Sequence, residues 1–159
     1  MLNLRKANTE DAQLYFDWAN EEVVRLQSFN SEKISLEDHI KWFKSKIADT
    51  DCIMLMFEDE NKKPAGQVRF QKENEEIYVV GISVDIFFRG KGLGIEMLKT
   101  ASNYFFELFP SKKINAFIKQ ENIASINSFE KAGYNNPESV LVKGILSLKY
   151  TKENNNANS

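Results

Sequence analysis

The chain has 159 residues, 42% of them hydrophobic, with 21 basic and 23 acidic side chains and a formal net charge of −2. That length and apolar share suit one domain with a real core, and the dispersed basic residues argue against a nucleic-acid surface. A single cysteine, Cys52, excludes a disulfide within the chain.

Residues 1–20 mix charges throughout, unlike a signal peptide, and no apolar run approaches the roughly 20 residues of a membrane span. A cytoplasmic protein with no membrane partner and no metal is expected. Residues 1–6 read as a short strand. Thr9-Glu10-Asp11 is a capping start for a helix through Trp18. Ser35, with Asp38 three residues on, opens a second helix running to Ile47. Strands follow at 52–58, 65–72 and 76–85, separated by the polar turns 59–63 and 73–75. Cys52 enters the apolar run Ile53-Met54-Leu55-Met56-Phe57, where a core thiol is expected rather than a nucleophile. Residues 92–109 form a helix stopped by Pro110. A strand spans 113–119, a short helix follows Asn122, and 140–150 hold one or two strands. The expected unit is one mixed α/β domain over 1–150, with a disordered Asn-rich tail over 151–159.

The most informative segment is the junction between the strand at 76–85 and the helix that follows. Its hexapeptide Arg89-Gly90-Lys91-Gly92-Leu93-Gly94 places three glycines in five residues. Such a hinge lets backbone approach a ligand closely, and a helix N-terminus aimed into it suits a phosphate. Arg89 and Lys91 add positive charge. Spacing excludes two better-known loops. A P-loop needs Lys-Ser/Thr after the last glycine, and Ile95-Glu96 stands there. A dinucleotide fingerprint needs G-x-G-x-x-G, whereas these glycines are spaced two by two. What remains fits R/Q-x-x-G-x-G/A, which resembles the acetyl-CoA pyrophosphate loop of the GNAT N-acetyltransferase superfamily.

A second motif follows about 25 residues later. Glu121-Asn122-Ile123-Ala124-Ser125-Ile126-Asn127-Ser128-Phe129-Glu130-Lys131-Ala132-Gly133-Tyr134 reads as a capped helix with a glycine stop. It resembles the acetyl-CoA-binding helix and turn that come after the pyrophosphate loop in GNAT enzymes. The resemblance covers residues 50–150 well. It implies a mostly antiparallel central sheet with a splayed strand pair and helices on both faces, and acetyl-CoA as cofactor. It also implies cofactor contacts from the N–H groups of Val84 and Ile86, from the amides of Arg89, Gly90, Lys91, Gly92, Leu93 and Gly94, and from Asn122, Ser125 and Lys131.

The implied reaction is direct attack of a primary amine on the thioester, which needs a proton acceptor for the amine and can use a donor for the thiolate. Many GNAT enzymes carry a tyrosine acid four residues before the glycine of the second motif. Phe129 stands there, so another hydroxyl must serve, with Tyr134, Ser125 and Ser128 as local candidates. Glu121 or Ser83, acting through water, are candidates for the base, with Asp85 as an alternative. Glu121 also reads simply as an exposed carboxylate near a helix N-terminus.

The acceptor side must come from the first third of the chain. There His39 shares a helix face with Trp42 and Phe43, and Arg25 precedes Ser28-Phe29-Asn30-Ser31. The run W-A-N-x-x-x-V-R-x-x-S-F-N-S-x-x-I-S-x-x-x-H-x-x-W-F (18–43) resembles N-acetyltransferases of bacterial pseudaminic-type sugar synthesis. That implies a UDP-linked 4-amino-4,6-dideoxy sugar as partner, with Arg25 on the nucleotide phosphates and His39 and Trp42 near the sugar or base. A protein N-terminus or a polyamine is the alternative acceptor. A silent acyl-CoA-binding module is the alternative to an enzyme. A second copy of the chain is a candidate partner.

Overall fold

The computed structural model describes residues 1–155. Seven strands make one sheet: β1 Asn3–Lys6, β2 Cys52–Glu58, β3 Pro64–Lys72, β4 Ile77–Val84, β5 Lys113–Lys119, β6 Asn135–Val142 and β7 Ile145–Lys152. Their spatial order is β1-β2-β3-β4-β5-β7-β6. Every neighbouring pair is antiparallel except β4 with β5, which is parallel. Five helices complete the fold: α1 Ala12–Ala19, α2 Glu22–Gln27, α3 Leu36–Ala48, α4 Leu93–Leu108 and α5 Ile123–Lys131.

Strand alternation divides the core into two layers. Leu55, Phe57, Val68 and Phe70 pack with Met97, Leu98, Ala101 and Phe105 of α4 and with Phe129 of α5. Met54 and Met56 face the other way, onto Tyr15 and Trp18 of α1 and Phe43 of α3. Gly66 shows how tightly α4 sits: a Cβ there would lie 2.6 Å from the Met97 methyl carbon.

Local chemistry sets the helix starts. Ser35 Oγ accepts the Asp38 N–H at 3.2 Å and opens α3. The first helix begins one residue earlier than expected: Asn8 is the cap, with Asn8 N–H to Asp11 Oδ2 at 2.8 Å closing a capping box around a single 3-10 turn. Helix α2 was not anticipated. Its six residues bury no side chain, so no apolar period announces it.

The chain end also differs from expectation. Thr151 and Lys152 belong to β7, where Thr151 pairs with Asn115 and Lys152 with Ile114. The expected tail therefore starts two residues too early; its last part, 156–159, lies outside the described residues.

Candidate active site

The site is built where β4 and β5 part. Ile77, Tyr78 and Val79 pair with Lys113, Ile114 and Asn115, and no pairing joins the two strands beyond them. Lys113 N–H bonds Glu76 O on this edge, and at the other edge Asp85 N–H bonds Ala65 O at 2.8 Å. Alternation then turns the backbone groups of Val80, Ile82 and Val84 toward the gap. The expected Val84 N–H thus faces the splay, and Ile82 joins it. Ile86 opens a 3-10 turn, Ile86–Phe88, that Asp85 caps by accepting the Phe87 N–H at 3.0 Å.

The hinge follows directly. Gly90 and Gly92 both have φ of +74°, a left-handed backbone that glycine adopts without strain, and a Cβ at either would meet no atom within 4 Å. Gly92 is the N-cap of α4, and the first helical bond runs from Glu96 N–H to Gly92 O at 3.3 Å. The N–H groups of Leu93, Gly94 and Ile95 therefore precede the ladder and point into the hinge. This open, left-handed cradle at a helix dipole fits a pyrophosphate.

The Arg89 side chain turns back into the protein. Its Nε donates to Val84 O at 2.8 Å and its guanidinium meets Glu21 Oε2 at 2.5 Å. Lys91 is exposed, with Nζ 5.9 Å from the centre of the Phe88 ring. Asn122 caps α5, its Oδ1 accepting the Ser125 N–H at 3.2 Å. Ser125 is half-buried, and Glu121 and Lys131 are exposed at the two ends of that helix.

Three candidates are engaged elsewhere. Tyr134 is buried in the α4 layer with its hydroxyl 2.9 Å from Ser102 Oγ, and burial pushes its pKa well above the ordinary value. His39 is buried between Phe16 and Trp42, each ring centre 5.5 Å away, and its Nε2 lies 3.1 Å from Ala12 O. It donates there and ties α3 to α1; burial keeps it neutral by lowering its pKa. Arg25 donates to Ala19 O, Asn30 O, Glu32 O and Ser28 Oγ, so its guanidinium organises the loop after α2. Asp85 is taken as well, by Trp18 Nε1–H at 2.9 Å. Cys52 stands at the start of β2, and burial raises its thiol pKa, which is the inert direction.

The sequence reading missed two residues of β3. Gln67 and Arg69 pair with Ser83 and Gly81 of β4 and share the face packed by α1 and α3. Gln67 Nε2 donates to Ser83 Oγ at 3.1 Å, while its buried Oε1 has no partner among the described residues. The Arg69 guanidinium lies 5.8 Å from the centre of the Trp42 ring. Only the strand register brings these pairs together.

A fold with a splayed parallel pair and a glycine cradle at the next helix defines an acyltransferase class, and the comparisons agree. The acetyltransferase (GNAT) domain family matches residues 1–135, and the chain belongs to that family. An uncharacterised protein of Methanocaldococcus jannaschii is 26% identical over 133 residues, covering 82% of this chain and 27% of that protein. The mycothiol acetyltransferase of Corynebacterium glutamicum is 24% identical, covering 80% of this chain and 40% of the relative. The chain thus spans about a quarter to two fifths of these curated relatives. Among solved structures, spermidine N-acetyltransferase from Vibrio cholerae, in complex with CoA and spermine, superposes with a TM-score of 0.88 at 17% identity, covering 99% of this chain and 98% of that one. The aminoglycoside acetyltransferase AAC(6')-Ib, in complex with coenzyme A and kanamycin, gives 0.81 at 17% identity, covering 99% and 96%. Among the described residues no group of His, Cys, Asp or Glu could hold a metal ion, and no helix is long and apolar enough to cross a membrane.

Proposed function

We propose that this chain transfers the acetyl group of acetyl-CoA to a primary amine by direct attack, and that the amine is the 4-amino group of a UDP-linked 4-amino-4,6-dideoxy sugar. The observation that carries the transferase reading is the unpaired β4 edge running into the open Gly90–Gly92 cradle. Acetyl-CoA supplies an activated thioester. The amides of the hinge and of α4's first turn hold its pyrophosphate, with Asn122, Ser125 and Lys131 along the rest of the cofactor. Val84 N–H, with Ile82 beside it, donates to the acetyl carbonyl as charge builds on its oxygen. Glu121, exposed at the end of β5, takes the amine proton through water, and Ser83, oriented by Gln67, positions that water. With Phe129 buried, Ser125 or Ser128 of α5, both half-buried, protonates the departing thiolate.

The acceptor reading rests on the N-terminal run and on the character of the wall. That wall is basic and aromatic: His39 meets Phe16 edge-on and Trp42 at a tilt, and Arg25 and Arg69 act electrostatically on one another. A polyamine site needs the opposite sign. Thiol release from acetyl-CoA with UDP-4-amino sugars, spermidine and peptides tests both levels. Turnover of the sugar alone is expected. Turnover of spermidine or a peptide in its place would defeat the acceptor assignment, and silence with every amine would leave only cofactor binding.

A further inference from the structure

Arg69 stands out as a charge without a counter-charge. Arginine is rarely taken from solvent unless paired, because desolvating a guanidinium is costly. Here the side chain is partly buried and burial lowers its pKa. Among the described residues no carboxylate lies within ion-pair reach of it and no acceptor receives its N–H groups. The ionisable neighbours that favour its charge are the Tyr15 hydroxyl and Cys52 thiol, both neutral at pH 7. A group of its own sign makes matters worse, since Arg25 feels its repulsion, and the same repulsion helps keep the buried His39 neutral.

Its position is nevertheless held. Gly81 pairs with Arg69 across the ladder, and a Cβ at Gly81 would lie 3.1 Å from Arg69 Cζ. The guanidinium therefore lies flat over bare backbone, with the Trp42 ring on another side. One row along the same face stand Gln67 and Ser83, about 7 Å away by strand spacing. There the Gln67 Oε1, on a side chain 2% exposed, lacks a donor. Two carboxylates near the splay are committed: Asp85 to Trp18 and Glu21 to Arg89. One face of β3 and β4 thus offers an unfilled acceptor near the splay and an unfilled planar cation a row further in.

We propose that Arg69, laid over Gly81 beside Trp42, binds an oxyanion of the acceptor, so that the amine this site acetylates belongs to an anionic molecule. Phosphate and carboxylate both match the two parallel N–H groups of a guanidinium fork. The proposal rests on reading this face as the acceptor side of the transferase. A pyrophosphate-linked sugar satisfies it, and a carboxylate-bearing amine would as well; a polyamine does not.

The test uses the full chain saturated with CoA, so that the cofactor's own phosphate cradle is filled, and titrates it calorimetrically with UDP, inorganic pyrophosphate and succinate. Binding of at least one anion is expected, weakened thirtyfold or more in Arg69→Met and partly kept in Arg69→Lys, with CoA affinity within twofold of the parent. Gly81→Val, which displaces the guanidinium but keeps its charge, should weaken the same anion. Equal binding by the parent and Arg69→Met, or no binding of any of the three anions, overturns the proposal. Succinate binding that depends on Arg69, without UDP binding, supports the anion site and turns it from a nucleotide to a carboxylate acceptor. Arg69-dependent anion binding without acetyl transfer to any amine would likewise leave this site standing while the transferase reading fell.

Discussion

The carboxylate of Glu21, at the entry to α2, meets the guanidinium of Arg89 at 2.5 Å, while Arg89 Nε holds Val84 O at 2.8 Å. One side chain therefore ties the end of β4 to the start of α2. The Arg89 charge that the motif seemed to offer a phosphate is spent on this clamp, so a phosphate in the hinge would meet backbone amides and the α4 dipole. Both side chains are a quarter to a third exposed, which limits the pair to about 1 kcal/mol. Glu21→Gln should raise the acetyl-CoA Kd about three- to fivefold, and the loss should shrink at high salt. Arg89→Ala should cost more, because it also leaves Val84 O, at the mouth of the splay, without its donor. Isothermal titration at two ionic strengths measures both.

Gly92 makes a sharper test of the cradle. Its φ of +74° is a conformation that a β-branched residue resists, and nothing within 4 Å would crowd a new Cβ. Gly92→Val should therefore cost about 1–2 kcal/mol of local backbone strain and place its side chain in the space a phosphate needs. Acetyl-CoA affinity should fall at least tenfold while the far-ultraviolet circular dichroism stays that of the parent. Parent-like affinity would mean that the phosphates sit elsewhere.

The legible parts of this molecule were those with local signals. Strand β5 was expected at 113–119 and is found at Lys113–Lys119, because Ile114, Ala116 and Ile118 alternate with residues of the other face. The cradle was legible because left-handed backbone demands glycine, and the Asn122 cap because its side chain bonds an N–H only three residues away. What could not be read depends on register. Gln67 and Arg69 look like outward polar residues of a strand until Ser83 and Gly81 are placed opposite them. Nor does Asn135-Asn136-Pro137-Glu138 resemble a strand, since β6 is an edge strand, largely exposed, with an irregularity between Asn135 and Glu138. Tyr134 shows a similar gap: sequence puts it beside the cofactor motif, while the turn at Gly133 carries it into the core.

Tyr134→Phe checks that placement. Among the described residues the hydroxyl is hydrogen-bonded only to Ser102 Oγ, and both residues are almost fully buried. Its removal leaves the serine hydroxyl without that partner, which costs about 1 kcal/mol. For a chain of 159 residues this lowers Tm by about 2–4 °C. Acetyl transfer at a temperature where both proteins are folded should stay within twofold. A hundredfold loss of kcat with Tm unchanged would return Tyr134 to the proton-transfer machinery.

The pH dependence of folding should be governed in part by Asp11. Burial by itself would raise its pKa, but Arg5 donates from both terminal nitrogens at 2.8 Å and Asn8 N–H adds a third bond at 2.8 Å. The balance leaves the carboxyl below its ordinary value of 3.8. A group whose folded pKa is depressed adds stability above its unfolded pKa, and that stability drains away as pH falls below 3.8 through the lower folded value. Arg5 also reaches Glu58 at 3.0 Å, so the cluster joins β1, β2 and the first helical turn. Breaking a buried pair costs about 3–5 kcal/mol, and with a third of the Arg5 side chain in solvent about 1–3 kcal/mol is expected here. Asp11→Asn should thus lose that much at pH 7 by urea midpoint, and the gap to the parent should narrow steadily below pH 3.8. A gap that stays constant down to pH 2 would mean that Asp11 contributes through shape and not through charge.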